Sequence, residues 1–570
     1  MIDADLIRCA RGKTPADLLL KGGRIVDVFS GETVTGDVAI KNGTIAGIGA
    51  YRAARTVDLD GRFVTPGFID AHVHIESTMI GVAEFARAVA ARGTTTVIAD
   101  PHEIANVLGA AGIRYMLAAS ADQPAAVFFM LPSCVPATSM ETAGARLTAD
   151  DLRPLMNEER VLGLAEMMNY PGVLAADAEV LRKIALAENA GKPVDGHAPG
   201  LTGTDLNAYA AAGIASDHEC TTIEEAREKL RAGLHIMVRE GTAAKNLAAL
   251  LPLINPHTCR RMMWCTDDRH AHDLLTEGHI DFIVRSAIGR GLDPLAAIRM
   301  ATLNPAEYFG LRHLGAVAPG RRADLLVIDD LKDLRIEQVY SRGRLVAVDG
   351  RIVEDLERPG PIEAPRAMRV PPEALDFSIA AAGRRVRVIE IVPGQIVTGS
   401  RVADARIENG QAVADPDRDL LKLAVVDRHS GSGRMAVAFL SGLGLRNGAI
   451  ASSVAHDAHN IIVAGADDRD MTIAVGRIVQ MGGGLAVAAG GHVLAELALP
   501  VAGLMAEAPL PEVAAKLERL TAAARSLGSP LKDPFMTLSF LALPVIPALK
   551  LTDRGLVDVE KFEVVPLFVE

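Results

Sequence analysis

Two histidines on either side of a single residue, His72 and His74, follow an apolar segment near residue 70. If that segment is a β-strand, alternate side chains point to the same face, so both imidazoles lie on one side. Two imidazoles placed in this way can bind one divalent cation. A pair of polar histidines beside a turn is the alternative, and the rest of the chain has to decide between the two.

Further ionisable residues come directly after other short apolar segments. They are Asp100, His102 and Glu103 after the second segment, Glu166 after the fourth, His197 after the fifth, His218 after the sixth, and Asp267 with Asp268 after the eighth. In a parallel (β/α)8 barrel all strand ends of one polarity meet at a single mouth, where catalytic residues gather. Such a constellation favours a functional site over a set of unrelated caps and surface charges.

The residue types in this constellation suit a metal centre. Four imidazoles and two carboxylates could hold two divalent ions, and a carboxylate such as Glu166 can bridge them. A centre of this kind lowers the pKa of a bound water toward about 7 and supplies hydroxide at neutral pH. Asp267 could accept the proton of that water. The residues alone therefore predict metal-assisted hydrolysis or hydrolytic deamination.

The elements that would position these side chains lie between about residues 63 and 310. Short apolar strands alternate there with amphipathic helices, and a segment of about 250 residues is usual for a (β/α)8 barrel. Strand-like segments near residues 17–60 and 323–350 flank it. Each group is too small to bury a core alone, so we expect the two groups to pair.

These patterns predict an α/β protein with four parts. The parts are a composite, split small β-sandwich from residues 1–62 and 311–357, a TIM-like (β/α)8 barrel from 63–310, a proline-rich linker from 358–373, and an additional C-terminal α+β domain from 374–570. One clear helix is predicted in the last part, near residues 511–527. We expect this domain to pack on the barrel, covering its mouth or forming a dimer contact.

The composition narrows the function class. A formal charge of -12 and a pI near 5.7 argue against a general nucleic-acid or anionic-membrane binder, because both need a basic face. Five cysteines without a Cys-x-x-Cys motif make a disulfide framework unexpected. The N-terminal residues lack the basic and apolar regions of a signal peptide, so we expect a cytoplasmic protein.

The motifs resemble a known family. A barrel inside a split β-sandwich, with His-x-His, a strand-four Glu, two single histidines and a strand-eight Asp, is similar to the amidohydrolase superfamily. Along essentially its whole length the chain resembles the bacterial adenine deaminases of that superfamily. The matching stretches are residues 66–77, 100–104, 165–169, 195–200, 216–219 and 452–460.

This resemblance implies hydrolytic deamination of adenine to hypoxanthine and ammonia, in purine salvage or catabolism, by a metal-activated hydroxide at a binuclear centre. The metals would be Mn²⁺ or Fe²⁺, with Zn²⁺ as an alternative, and a homodimer is expected. Carried over by position, the ligands are His72, His74, Glu166, His197, His218 and Asp267. Mononuclear deaminases of the superfamily carry a Glu three residues after the strand-five histidine; Gly200 stands there in this chain.

The ring nitrogen N1 and the departing amine of adenine both need protons. Asp100, His102 and Glu103 are the candidates that could supply both, while Asp267 takes the proton of the attacking water and passes it on. Asp100 and His102 could instead only hydrogen-bond the metal ligands. The two interpretations differ in what replacing Asp100 or Glu103 should do. A proton-transfer role predicts a large fall in turnover with metal content intact, and a supporting role predicts loss of metal.

Weaker signals concern substrate contacts and a second site. Ser133 and Cys134 follow strand three and could line a purine pocket, and Arg239 follows strand seven and could contact substrate or form a salt-bridged loop. In the C-terminal domain, His429, His456 and His459 have a spacing that permits a separate metal site, although a packing role is favoured.

Two other functions remain open at this point. A cyclic amide hydrolase of the same superfamily usually bridges its metals with a carboxylated lysine on strand four, where this chain has Glu166. A non-catalytic purine- or metal-binding scaffold would normally have a broken ligand set.

Overall fold

The computed structural model of the protein describes residues 3–569, except for residues 355, 357–359, 361, 364–366 and 372–374. Much of the predicted linker, residues 358–373, therefore lies outside the described residues. Within the described part of the chain, no helix combines the length and apolar character needed to cross a membrane.

The chain begins with a short helix and a group of β-strands. These are α1 (Ala4–Ala10), β1 (Ala16–Asp27), β2 (Glu32–Lys41), β3 (Thr44–Ile48), β4 (Ala53–Asp58) and β5 (Phe63–Pro66). The turn between β2 and β3 contains Asn42 and Gly43, both with positive φ (50° and 72°). Asn-Gly is the preferred pair for a two-residue hairpin turn, because both positions need a left-handed backbone.

A ring of parallel strands follows. They are β6 (Phe68–Val73), β7 (Thr94–Ala99), β8 (Ala126–Leu131), β9 (Val161–Met167), β10 (Val194–Gly196), β11 (Ser216–Asp217), β12 (His235–Arg239) and β13 (Met262–Cys265). Strands β6 to β10 pair in order, as do β11 to β13, and single parallel bridges at Val194–Ile214 and Val73–Asp267 join the two sheets. The predicted TIM-like barrel is confirmed.

Helices surround this barrel. They are α2 (Val82–Ala91), α3 (His102–Leu108), α4 (Ala110–Ala119), α5 (Ala149–Met156), α6 (Tyr170–Leu174), α7 (Ala178–Asn189), α8 (Gly203–Ala211), α9 (Ile223–Arg231), α10 (Leu247–Leu250), α11 (Ala271–Thr276), α12 (Ile280–Gly289), α13 (Pro294–Met300) and α14 (Leu303–Tyr308). Inside the ring, Ile69, Ile98, Phe128, Met237 and Met263 belong to one buried cluster. Because the interior of the barrel is filled by packed side chains, a functional site can form only at the ends of the strands.

The strands after the barrel return to the first group. They are β14 (Leu325–Ile328), β15 (Ile336–Ser341), β16 (Arg344–Val348) and β17 (Arg351–Ile352). Strand β14 pairs antiparallel with β5, so that strands from both sides of the barrel form one nine-stranded sheet among the described residues. This sheet ties the two ends of the barrel segment together.

The C-terminal part contains a second large sheet and three helices in the described residues. Its elements are β18 (Arg385–Ile391), β19 (Thr398–Asp404), β20 (Arg406–Glu408), β21 (Gln411–Val413), β22 (Leu421–Val426), β23 (Met435–Ser441), β24 (Ala449–Ser452), β25 (Ile461–Gly465), α15 (Asp468–Met481), β26 (Gly484–Ala489), β27 (His492–Ala498), α16 (Leu510–Ser526), α17 (Pro534–Phe540), β28 (Leu549–Thr552), β29 (Gly555–Asp558), β30 (Glu563–Val565) and β31 (Phe568–Val569). Helix α16 lies where one helix was predicted.

This C-terminal part packs directly on the barrel. The Ala506 N–H donates to the carbonyl of Met79 at 2.8 Å, in the segment between the first barrel strand and α2. The Thr142 N–H donates to Asp553 at 2.8 Å, on the loop after β8. One continuous buried core includes Val73 of the barrel and Leu440 of the C-terminal sheet. The C-terminal part therefore covers the side of the barrel where its strands end.

Lys550 on β28 provides a pH-dependent test of the packing within the C-terminal part. Its ammonium group is buried and donates to the carbonyls of Ile396 and Phe540 at 2.8 and 3.0 Å. Burial lowers the pKa of Lys550 to about 7. The unfolded chain, with an ordinary lysine pKa, therefore binds more protons between about pH 7 and 10, and stability contributed at this site rises with pH in that window.

We expect the free energy of unfolding of the wild type to rise relative to that of Lys550→Met as pH increases from about 7 to 9.5, by up to about 1.4 kcal/mol per pH unit. The melting temperature of the wild type should rise with it, relative to that of the variant. Thermal melts of both proteins at several pH values measure this difference. Groups common to both proteins cancel in the comparison. A difference that stays constant over this range would contradict a lowered pKa for Lys550.

Candidate metal centre and active site

The imidazoles and carboxylates predicted as metal ligands meet at the mouth of the barrel. His72 Nε2 lies 3.1 Å from His74 Nε2. His74 Nε2 lies 3.2 Å from both Glu166 Oε1 and Asp267 Oδ1. Asp267 has a left-handed backbone (φ 57°), and its N–H donates to the His72 carbonyl at 2.9 Å. The ends of β6, β9 and β13 thus bring these side chains to one point.

Glu166 divides the ligands into two groups. Its Oε1 atom faces His72 and His74, at 3.8 and 3.2 Å from their Nε2 atoms. Its Oε2 atom lies 2.6 Å from His197 Nδ1 and 3.2 Å from His218 Nε2. A carboxylate with a different histidine pair at each oxygen is suited to bind two cations at once.

The hydrogen bond of His74 defines its tautomer. His74 Nδ1 lies 3.1 Å from the backbone carbonyl of Asp100, which can only accept a hydrogen bond. Burial acts to lower the pKa of His74, but Asp267 and Glu166 raise it well above its usual value. In the neutral ring that a cation would need, the proton is on Nδ1 and the lone pair is on Nε2, the atom that faces Glu166 and Asp267. A metal-ligating histidine typically donates its other N–H in this way. The donor set of this centre thus fits divalent cations.

Burial and mutual contacts set the electrostatics of the centre. Burial alone would raise the pKa of Glu166, but the neighbouring imidazoles, His197 foremost, hold it well below its usual value. Burial likewise acts to raise the pKa of Asp267, which His72, His74 and Arg239 keep well below its usual value. Both carboxylates are therefore anionic at neutral pH.

Three aspartates that were not predicted as site residues lie on the strands that lead to the predicted ligands. Asp70 accepts the N–H groups of His72 and Thr266 at 3.2 and 3.1 Å, which joins β6 to β13. Asp217 accepts the Ala198 N–H at 2.9 Å, directly after His197. Asp195 binds the hydroxyl groups of Ser216 and Tyr308. The Asp-x-His spacing at residues 70–72 was the signal that could have identified Asp70.

The three predicted proton-transfer residues adjoin this centre. Asp100 accepts the N–H of His102 at 3.0 Å, and its Oδ2 lies 3.2 Å from His102 Nδ1. His102 Nδ1 also lies 3.5 Å from Glu166 Oε1, and its Nε2 lies 3.5 Å from Glu103 Oε1. His102 therefore lies among Asp100, Glu103 and Glu166, next to the atoms that would ligate metal.

Ser133 and Cys134 lie beside the backbone of β9. The Ser133 hydroxyl donates to the Glu166 carbonyl, and Lys183 donates to the Ser133 carbonyl at 2.7 Å. Burial raises the pKa of the Cys134 thiol. These contacts hold the loop after β8 against the strand that carries Glu166.

Arg239 lies between two carboxylates instead of standing free. Its guanidinium donates to both oxygens of Glu219, with Nη2–Oε2 at 2.8 Å, and to Asp267 Oδ2 at 2.8 Å. Glu219 in turn lies 3.5 Å from His197 Nδ1 and 3.4 Å from His218 Nε2. Glu219 was not predicted as a site residue, although it directly follows His218 in the sequence.

A cavity of about 1060 Å³ reaches this edge of the centre. Glu219 and Arg239 line it from the barrel, and Phe535 and Phe540 line it from α17 of the C-terminal part. Its described lining does not include Ser133 or Cys134. A small planar ligand could therefore approach the centre between the barrel and the C-terminal part.

We expect Arg239→Ala to lower the free energy of unfolding by about 3–5 kcal/mol, because it leaves two buried carboxylates without their cation. Urea denaturation of the two proteins measures the loss. Arg182→Ala is the matched control, since Arg182 forms exposed ion pairs with Asp150 and Glu179 and should change stability by less than about 1 kcal/mol. Equal effects of the two substitutions would contradict this interpretation.

Comparisons with known proteins agree along the whole chain. Residues 63–346 match the model of the amidohydrolase family, and residues 395–563 match that of the adenine deaminase C-terminal domain. The adenine deaminase of Desulfatibacillum aliphaticivorans is 54% identical over 568 residues, covering 100% of each chain. Adenine deaminase 2 of Carboxydothermus hydrogenoformans is 52% identical, and the adenine deaminase of Methanothrix thermoacetophila is 50% identical, each over 99% of both chains. The chain belongs to the adenine deaminase family of amidohydrolases.

Proposed function

We propose that this protein catalyses the hydrolytic deamination of adenine to hypoxanthine and ammonia. The observation that carries the proposal is the position of Glu166, whose two oxygens face two separate histidine pairs. Full-length relatives at 50–54% identity that are named adenine deaminase support the substrate. A glutamate in place of the carboxylated lysine makes the cyclic amide hydrolase the weaker alternative.

The ligands would be His72, His74, Glu166, His197, His218 and Asp267, holding two divalent cations, Mn²⁺ or Fe²⁺ with Zn²⁺ as an alternative. When bound, such cations lower the pKa of a water molecule and so supply the nucleophile for attack at C6. The anionic state of Glu166 and Asp267 and the tautomer of His74 support this assignment.

The residues of the chain would move the protons. Asp267 accepts a proton from the attacking water and returns one to the departing amine. Its Oδ2 atom is held by Arg239, which fixes the direction of the carboxylate. The cluster of Asp100, His102 and Glu103 supplies the proton that N1 requires as electrons move onto the ring. The remaining proton of the added water returns to this cluster as the C6 carbonyl forms, and the amine leaves as ammonia.

The experiment that tests the proposal is hypoxanthine formation by metal-free protein titrated with Mn²⁺. Activity should rise until two equivalents per chain are bound. Saturation at one equivalent would retain the deaminase but remove the shared role of Glu166. A protein with two metals and no hypoxanthine would overturn the proposed function and point to cyclic amides or a non-catalytic scaffold.

We also propose the domain limits given by the sequence, with residues 1–62 and 311–357 as one unit, 63–310 as the barrel, 358–373 as a linker and 374–570 as the C-terminal domain. Pairing of β5 with β14 supports the composite unit, although β5 itself begins at Phe63. A homodimer in the cytoplasm completes the proposal. Exposed Val402 and Ile407 on outer strands of the C-terminal domain support a subunit contact, which light scattering would test.

A further inference from the structure

Glu103 is held from outside the barrel by two histidines of the C-terminal domain. His456 Nδ1 lies 2.7 Å from Glu103 Oε1, and His459 Nε2 is hydrogen-bonded to Glu103 Oε2. Both histidines belong to the loop between β24 and β25, and all three residues are at most 5% exposed. The contact therefore joins the barrel mouth to the C-terminal domain at a buried point.

Two functions are open to this trio. One glutamate and two histidines could ligate a further cation, or the histidines could act as hydrogen-bond donors to the carboxylate. The tautomer of His459 distinguishes them. The Ala455 N–H donates to His459 Nδ1 at 3.1 Å, so Nδ1 carries the lone pair. The proton of the neutral ring is then on Nε2, the atom that faces Glu103.

This tautomer is opposite to that of His74. A cation at His459 Nε2 would displace the only ring proton and leave an imidazolate, whereas a neutral imidazole is the usual ligand. His429, the third histidine of this region, faces the Ala458 carbonyl with Nε2 at 2.7 Å and does not contact Glu103. The hydrogen-bonding role therefore accounts for the geometry, and a further metal site does not.

The surroundings explain why the carboxylate needs these donors. Glu76 and Asp457 are buried carboxyl groups near Glu103; burial and the charge of Glu103 raise the pKa of each, and Glu76 Oε1 accepts the Ile104 N–H at 3.2 Å. Among nearby acids an unsupported Glu103 would turn away or take up a proton. One N–H donor at each oxygen fixes both its orientation and its ionised form, and leaves Oε1 within 3.5 Å of His102 Nε2.

We infer that His456 and His459 are positioning residues for Glu103, and that the C-terminal domain thereby completes the catalytic site. This inference rests on the proposed deamination, in which Glu103 belongs to the proton-transfer cluster. It assigns the C-terminal domain a direct part in the reaction in addition to its packing on the barrel.

The test is steady-state deamination of adenine by the full-length, Mn²⁺-loaded protein and its variants. We expect His459→Ala to lower kcat by about 10- to 100-fold, with KM changed by less than about 3-fold, because misplacement of a catalytic group mainly affects the reacting complex. Bound Mn²⁺ should stay at two equivalents. His429→Ala is the control in the same region and should change kcat by less than about 3-fold.

Conservative variants and a double-mutant cycle separate positioning from folding. His456→Asn and His459→Gln retain an amide N–H near the donor position, so they should recover most of the kcat lost in the alanine variants. In a Glu103→Gln background, His459→Ala should lower kcat by less than about 2-fold further, because the residues act through one another.

Equal losses from His459→Ala with and without Glu103→Gln would overturn the inference, as would loss of bound Mn²⁺ or an unchanged kcat in His459→Ala. If His459→Ala does not fold, the comparison of His456→Asn with His456→Ala decides, and equal kcat values for those two would overturn it. Wild-type protein with two metals and no adenine turnover would overturn the proposed function and this inference together.

Discussion

Glu166→Gln is expected to lower adenine turnover by about 10³-fold or more and to reduce bound metal below two equivalents per chain. An amide has a single acceptor oxygen, so it can serve the His72–His74 pair or the His197–His218 pair, but not both. Its NH₂ group would face the other pair. In the wild type, Oε2 lies 2.6 Å from His197 Nδ1 and 3.2 Å from His218 Nε2. Turnover assays with metal analysis of the same samples measure both effects.

Asp195→Asn is the matched control for this substitution. Asp195 is also a buried carboxylate at a barrel strand end, but its hydrogen-bond partners are Ser216 and Tyr308, which are not among the six proposed ligands. It should keep two metals and lose less than about 10-fold in turnover. Glu166→Gln protein that retains two metals and near-normal turnover would rule out a shared carboxylate at this position.

Glu103→Gln is expected to lower kcat by about 10² to 10⁴-fold while two metals stay bound, because it removes a group of the proton-transfer cluster without touching a proposed ligand. The side-chain contacts of Glu103 are with His102, His456 and His459. Mutant kcat, KM and metal content, measured together, distinguish loss of proton transfer from loss of the centre. A circular dichroism spectrum checks the fold.

Asp100→Asn serves as the companion variant. The Asp100 carbonyl that binds His74 Nδ1 is part of the backbone and is retained, whereas the side chain that binds His102 is changed. A fall in turnover with intact metal would support a part for Asp100 in proton transfer as well. Loss of metal from either variant would instead assign these residues to the support of the metal ligands.

The barrel and the composition of its mouth could be predicted from the sequence for a physical reason. Parallel strands covered by helices on the outside and side chains on the inside are buried along their whole length, as in β7 and β8, and so appear as short apolar segments. Ionisable residues directly after such segments, such as His72, His197 and His218, must lie at the mouth because the strands are parallel. That these residues lie close together could therefore be predicted without knowing any individual contact.

Contacts between side chains distant in the sequence could not be predicted in this way. Arg239 is the last residue of β12 and His218 directly follows β11, so both lie at strand ends. The guanidinium of Arg239 is nevertheless bound by Glu219 and Asp267, and Ser133 binds the backbone of Glu166. No local pattern encodes a partner on another strand or in another domain. The position of Glu103 between His456 and His459 depends on how the C-terminal domain packs on the barrel, and packing of two surfaces follows from shape and charge instead of periodicity.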